Sequence, residues 1–191
     1  MSELVFLLEE ESARAMLESL LPRILDGDIA TRFIVFEGKQ DLERNLTRRI
    51  RGYNNASARF LVLRDLDRNP DCQVLKQSLQ SLCNNAGRAT QCLVRIACRE
   101  IEAFYLADLA AVDHAIGTQH LRGQQEKEKF RYPDRLSSPS RELAKLTKNM
   151  YQKVSGSRAI GAFLDPENLR SSSFRNLVAG IRRLQHDLLT S

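Results

Sequence analysis

The sequence Arg59-Phe60-Leu61-Val62-Leu63-Arg64-Asp65-Leu66-Asp67 joins an apolar run to two aspartates placed two residues apart. Such a run is typical of a strand that helices cover on both faces of a parallel sheet. Three more apolar runs occur, at Leu4 to Leu8, Arg32 to Phe36 and Gln91 to Ala97. Longer segments with helical spacing separate the four runs, so the chain is predicted to fold as repeated βα units.

Apolar residues recur at helical spacing between these strands. Stripes run from Met16 to Leu25, ending at Gly27, from Leu42 to Tyr53 and from Leu75 to Ala86, and a fourth helix is predicted from about Glu100 to Ile116. Right-handed crossovers leave few topologies, and the common strand order 2-1-3-4 places the first and third strands side by side. The predicted fold class is α/β, with a doubly wound, mainly parallel four-stranded sheet flanked by helices.

The chain changes character after the fourth predicted helix. Residues 1–116 are predicted to form the α/β core, residues 117–140 a loop or flap without apolar periodicity, and residues 141–191 a helical extension packed on the core. The 191 residues suit one structural domain. Apolar positions in the extension predict one helix around Leu143 to Met150 and an amphipathic one from Phe174 to Leu188.

Composition narrows the class of protein only slightly. Hydrophobic residues make up 42% and charged residues 28%, as in ordinary globular domains. No apolar run approaches the roughly 18 residues of a membrane-spanning helix, so we expect a cytoplasmic protein with no membrane partner. The four cysteines show no C-x-x-C pair and are expected to be buried thiols. The net charge of +5 suits a protein that meets phosphates without requiring it.

Acidic residues follow the first and third predicted strands. Asp65 and Asp67 lie two apart on an extended segment, so both carboxylates face one side, and Glu9 follows the first strand. If those strands are neighbours, the three carboxylates converge at the edge where open α/β sheets bind ligands. Oxygen donors in this arrangement predict a site for Mg²⁺ or Mn²⁺. The alternative is that Asp65 and Asp67 are turn residues before Pro70.

Further acidic residues allow two interpretations. Glu100 and Glu102 follow the fourth strand at the same edge and are accessory candidates for the metal site. First-turn charge on a helix explains them nearly as well, and it is the simpler explanation for Glu10 and Glu11.

Basic residues lie on several segments. Arg44, Arg48, Arg49 and Arg51 decorate the second helix. Arg141, Lys145, Lys148 and Gln152 would share one face of a later helix. Lys153 and Arg158 flank Ser155-Gly156-Ser157, where small residues would let a phosphate approach. These residues predict a nucleic-acid-binding surface that includes Lys145, Lys148 and Arg158, or else solvated helix faces.

The acidic motifs resemble those of the Toprim fold, the metal-binding module of topoisomerases, primases and certain nucleases. Leu7-Leu8-Glu9 corresponds to its glutamate after the first strand, and Asp65-Leu66-Asp67 to its D-x-D after the third. Most of the chain is similar to a family of small bacterial Toprim-like proteins often encoded beside an AAA/ABC-type ATPase in candidate phage-defence loci. Further signposts are Glu100-Ile101-Glu102-Ala103-Phe104, Tyr151-Gln152-Lys153-Val154 and Ser171-Ser172-Ser173-Phe174.

The resemblance implies a Mg²⁺-dependent site with Glu9, Asp65 and Asp67 at its core, Glu100 and Glu102 as accessory acids and Lys153 as a basic partner. Our leading hypothesis is a nuclease or nuclease subunit that cleaves nucleic-acid phosphodiesters, with a possible role in anti-phage defence. A non-catalytic interaction subunit of an ATPase complex is the second hypothesis. A phosphorylatable receiver-type module is the third, although its usual length of ~120 residues and single acceptor aspartate argue against it.

Overall fold

The computed structural model describes residues 2–190 and contains one four-stranded sheet. All neighbouring strands are parallel, in the order β2-β1-β3-β4. The strands are β1 (Glu3–Leu8), β2 (Ala30–Val35), β3 (Arg59–Asp65) and β4 (Cys92–Ala97). Leu8 lies opposite Leu63 in the register of β1 and β3, so both strands end at the same edge. The predicted fold class and strand order are confirmed.

Helices connect the strands and continue beyond them. Within residues 2–190 the α-helices are α1 (Glu11–Leu20), α2 (Lys39–Arg51), α3 (Cys72–Asn85), α4 (Glu102–Leu106), α5 (Leu109–Ile116), α6 (Glu128–Arg131), α7 (Pro139–Leu146), α8 (Lys153–Gly161) and α9 (Ser172–Leu189). None of the helices in this part of the chain has the length and apolar character needed to cross a membrane.

The two faces of the sheet are buried by different helices. Side chains alternate along a strand, so Val5 and Leu7 of β1 pack with residues of α2 and α3, such as Leu42 and Leu79. The residues between them, including Phe6, pack with residues of α1, α4, α5, α8 and α9. This double coverage explains why every β1 residue after Glu3 is buried and why the strand reads as a continuous apolar run.

Two predicted helices are shorter than expected. The first ends at Leu20 and continues only as a 3₁₀ turn, because Pro22 has no N–H to donate to the preceding turn. The fourth is divided into α4 and α5 because Asp108 caps α5, its carboxylate accepting a hydrogen bond from the Ala111 N–H (3.1 Å). An aspartate with this local bond favours a helix start over a helix interior.

The segment 117–140 contains short helical turns where a loop or flap was predicted. It includes α6 and 3₁₀ turns at Arg122–Gln124 and Pro133–Arg135. Buried Gln125 accepts a hydrogen bond from the Leu109 N–H (2.7 Å) and donates to the Leu106 and Phe130 carbonyls. A polar anchor of this kind leaves no apolar periodicity in the sequence.

The basic face predicted for one later helix does not exist as such. Helix α7 ends at Leu146, and Lys148 and Asn149 adopt left-handed backbone conformations with φ of 50° and 62°. Arg141, Lys145, Lys148 and Gln152 therefore do not lie on one helix. This prediction is wrong because helical spacing alone did not reveal the break after Leu146.

Helices α1 and α8 pack side by side at very short range. A Cβ atom at Gly161 would lie 2.5 Å from the backbone oxygen of Met16, so only glycine allows this approach. The packing brings Lys153, the first residue of α8, next to Glu10, which precedes α1. An element that sequence analysis did not identify as a helix thus delivers a cation to the acidic edge of the sheet.

Candidate functional site

The carboxyl ends of β1 and β3 bring two predicted site residues together. Glu9 is the first residue after β1, and Asp65 is the last residue of β3. One Glu9 carboxylate oxygen, Oε2, accepts a hydrogen bond from the Asp65 backbone N–H at 3.3 Å. Parallel pairing in register therefore brings the Glu9 carboxylate against the backbone at the end of β3.

Arg64 occupies the centre of the acidic cluster around Glu9. Its side chain is 1% exposed, and its Nη1 atom donates to Glu9 Oε2 (3.0 Å) and to Asp67 Oδ2 (3.3 Å). Its Nη2 atom contacts Glu43 on α2 at 3.3 Å, and Lys39 contacts Asp67 at 3.3 Å. The Glu9 and Asp67 carboxylates are therefore neutralised by a buried guanidinium of the protein itself. Sequence analysis missed this role of Arg64, although an arginine inside an apolar strand run was a signal for it.

The pKa of the Glu9 carboxyl is raised although an arginine lies beside it. Burial raises the pKa of the Glu9 carboxyl above its ordinary value, and the positive charge of Arg64 offsets this only in part. A carboxyl with a raised pKa is better matched to accepting a proton near neutral pH than an exposed one.

Asp65 differs from its neighbours because its carboxylate forms no hydrogen bond or ion pair with any other residue between 2 and 190. Burial raises the pKa of the Asp65 carboxyl well above its ordinary value, and the charges of Glu102, Glu9, Glu10 and Asp67 raise it further. Several carboxylates around one site repel one another unless a proton or a cation neutralises them. Asp65 is thus the acidic group most in need of a positive partner.

Glu102 lies beside Asp65 in the interior. It is 2% exposed, and its Oε1 atom accepts a hydrogen bond from the Tyr151 hydroxyl at 3.0 Å. Burial raises the pKa of the Glu102 carboxyl, and its backbone hydrogen bond, the charge of Lys153 and the Tyr151 bond compensate only in part. Gly156 makes room for this arrangement, since a Cβ there would lie 2.6 Å from the Tyr151 ring. The glycine therefore accommodates a tyrosine, and does not form the flexible phosphate approach that was predicted.

Lys153 is the basic residue that the structure places among these acids. Its ammonium forms an ion pair with Glu10. Burial acts to lower the pKa of Lys153, but the bond to Glu10 and the charges of Glu102 and Asp65 outweigh it and raise the pKa. Lys153 therefore stays protonated next to Asp65.

The remaining predicted residues lie elsewhere or have other partners. Glu100 accepts a hydrogen bond from the Ser140 N–H at 2.7 Å and lines a cavity with Asp67. Arg158 contacts Glu18 of α1 at 2.6 Å and so joins two helices. Lys145 and Lys148 are exposed, and neither forms an ion pair with a residue in the described part of the chain.

The two carboxylates of Asp65 and Glu9 suit a metal ion whose remaining ligands are water and substrate. Within residues 2–190, no three or more His, Cys, Asp or Glu side chains are grouped so that they could bind a metal ion by themselves. Mg²⁺ sites, however, commonly use one or two carboxylates and complete the shell with waters and substrate phosphates. Asp65, whose carboxylate is unpartnered, and Glu9 beside it supply that smaller set. Their chemistry fits Mg²⁺ or Mn²⁺.

Comparisons with known proteins give a family and no activity. Searches of the curated proteins and of the solved structures found no match to this chain. A family model described as a domain of unknown function (DUF4276) matches residues 8–182, a span that includes every acidic residue of the site. Because the match covers most of the chain, the protein belongs to the DUF4276 family.

Proposed function

We propose that this protein is a Mg²⁺-dependent nuclease, or the nuclease subunit of a larger complex, that cleaves nucleic-acid phosphodiesters. The observation that carries the proposal is the Asp65 carboxylate, which lies unpartnered among four other carboxylates at the carboxyl edge of a parallel sheet. That edge is where open α/β sheets bind ligands. The resemblance of Glu9 and Asp65-Leu66-Asp67 to the Toprim motifs supports the same function.

The residues of the site would have different roles in the proposed reaction. Asp65, with Glu9 beside it, would hold Mg²⁺ or Mn²⁺, which when bound polarises a phosphodiester and lowers the pKa of an attacking water. The raised pKa of Glu9 suits it to accept a proton from that water. Lys153 would exchange its contact with Glu10 for the phosphate oxygens and offset the charge that develops on them.

The test is cleavage of labelled single-stranded and duplex DNA and RNA by the purified protein with Mg²⁺ or Mn²⁺. Asp65→Asn should reduce the rate roughly 100-fold or more, since a lost metal contact costs several kcal/mol of transition-state stabilisation. Asp28→Asn is the matched control, because Asp28 is exposed just before β2 at the opposite edge of the sheet. Equal cleavage by the wild type and Asp65→Asn would refute the assignment.

A second function is favoured by one observation. Arg64 already neutralises Glu9 and Asp67, as a bound cation would. A protein whose site is satisfied in this way could serve as a non-catalytic interaction subunit of an AAA/ABC-type ATPase complex, including one in anti-phage defence. Its signature would be no heat on titration with Mg²⁺ or Mn²⁺, together with stable co-purification with such an ATPase.

A further inference from the structure

A cavity of about 420 Å³ opens beside the acidic cluster. Its walls come from the residues that follow β3 and β4 and from the start of α7 with the residues just before it. Arg68, Arg99 and Arg141 line it together with Ser138 and Ser140. Asp67 and Glu100 form its acidic side. Basic and hydroxyl groups therefore face a space that borders the proposed cleavage site.

The wall between Asp67 and Arg99 is fixed by the backbone. The Asp67 N–H donates to the Arg99 carbonyl (2.8 Å), and Arg99 Nη1 donates to the Asp67 carbonyl (2.9 Å). Both residues adopt left-handed conformations, with φ of 52° and 63°. Non-glycine residues hold such conformations only where the surroundings enforce them, so this part of the wall is preorganised.

None of the three arginines of the cavity forms an ion pair with a carboxylate of residues 2–190. Arg68 and Arg141 form no ion pair or side-chain hydrogen bond with any residue between 2 and 190, and Arg99 contacts only a carbonyl. Arg158 and Arg182, in contrast, are paired with glutamates on packed or neighbouring segments.

The acids of the cavity do not compensate for these charges. Asp67 is held by Arg64 and Lys39, and Glu100 accepts the Ser140 N–H. Three guanidinium groups are thus available to an anion from outside.

We infer that this cavity binds one nucleotide of the substrate, with its phosphate held by Arg99, Arg68 and Arg141, next to the phosphodiester that is cleaved. This inference rests on the proposed function, because the nucleotide would belong to the nucleic acid that the proposed nuclease cleaves. Guanidinium groups bind phosphate through paired hydrogen bonds, and serine hydroxyls add donors. The volume falls in the range of small-ligand pockets of roughly 300–1,000 Å³, larger than a bare phosphate needs.

Binding of a 5′-fluorescein 12-nucleotide single strand, as DNA and as RNA, measured by anisotropy in EDTA, tests the inference without cleavage. Arg68→Gln/Arg141→Gln should weaken binding about tenfold for each guanidinium removed and flatten the salt dependence of log K by roughly 0.7 per lost phosphate contact. Both side chains are exposed, so the fold should be retained. Arg99→Gln is a second variant with the same expected direction.

Arg183→Gln is the matched control, because exposed Arg183 lies in the second half of α9, and the end of this helix contacts Ser2 at the edge where the strands begin. It should bind as the wild type does. In competition, adenosine 5′-monophosphate should displace the strand from the wild type at lower concentration than inorganic phosphate does. Equal displacement by the two competitors would overturn a nucleotide site.

The outcomes separate this inference from the proposed function. Loss of binding in Arg68→Gln/Arg141→Gln with no cleavage by the wild type would support the nucleotide site and count against the nuclease. Cleavage by the wild type with unchanged binding in the double variant would leave the nuclease standing and refute the site.

Discussion

The carboxylates at the edge of the sheet form two groups that handle buried charge differently. In the Arg64 group, which also contains Glu9, Asp67 and Glu43, one buried guanidinium contacts every acid. In the Asp65 group, which also contains Glu102, Tyr151, Lys153 and Glu10, the Asp65 carboxylate itself has no partner among the described residues. The contrast teaches that the Arg64 guanidinium maintains the fold by compensating acids of the first group, whereas the charge of Asp65 is available for a ligand.

The strongest test of the first group is Arg64→Met. Removing the guanidinium leaves the buried Glu9 carboxylate without its cationic partner, whereas Asp67 keeps Lys39, and breaking a buried pair in this way typically costs about 3–5 kcal/mol of unfolding free energy. Urea denaturation at neutral pH measures the loss. Arg68→Met is the control, because exposed Arg68 lacks a partner among the described residues and its loss should change stability by no more than about 0.5 kcal/mol. A cost for Arg64→Met as small as that of the control would show that the first group does not maintain the fold.

Asp65→Asn tests the second group. It should raise the free energy of unfolding, whereas Arg64→Met should lower it. Replacing an unpartnered, largely buried carboxylate by a neutral amide should stabilise the metal-free protein by about 1–2 kcal/mol at neutral pH, as substitutions at functional sites commonly do. Asp67→Asn, two residues away, should destabilise, because it removes a partner of Arg64 and Lys39. Urea denaturation of both variants in EDTA measures the difference.

The same variant has a predicted pH signature. The folded-state pKa of Asp65 lies above its unfolded value, so the folded protein binds this proton more tightly and the stabilising contribution is lost as pH rises. The wild type should therefore lose stability relative to Asp65→Asn between the ordinary pKa of an aspartate, about 4, and neutral pH. A constant difference over that window would mean that the Asp65 carboxyl does not titrate as proposed.

The sequence predicted the part of this arrangement that strand topology determines. The four apolar runs and the order 2-1-3-4 were sufficient to place Glu9 beside Asp65, since parallel neighbours end at one edge. The sequence did not predict that the acidic residues divide into an Arg64 group and an Asp65 group. Whether Arg64 turns toward water or toward Glu9 depends on tertiary packing, which spacing does not encode.

The contact between Tyr151 and Glu102 was unpredictable for a related reason. The two residues are 49 positions apart and belong to different elements. Their approach depends on helix α8 packing against α1 through Gly161, and neither the helix nor that role of the glycine was evident from periodicity. Close backbone packing at a single glycine leaves almost no pattern in one sequence.

Tyr151→Phe should give the smallest effect on stability, and it tests how far the second group depends on the Tyr151 hydroxyl. The hydroxyl donates to the buried Glu102 carboxylate, so its loss should cost about 1 kcal/mol of unfolding free energy. This bond favours the charged form of Glu102, whose folded-state pKa is raised above the ordinary value, so the cost should grow as pH rises through that pKa. Urea denaturation at pH 5 and pH 8 measures the trend, with Tyr132→Phe as the control, because Tyr132 is exposed. An equal cost at both pH values would indicate that the hydroxyl only fills space, and that the backbone hydrogen bond of Glu102 and the charge of Lys153 compensate the Glu102 carboxylate without it.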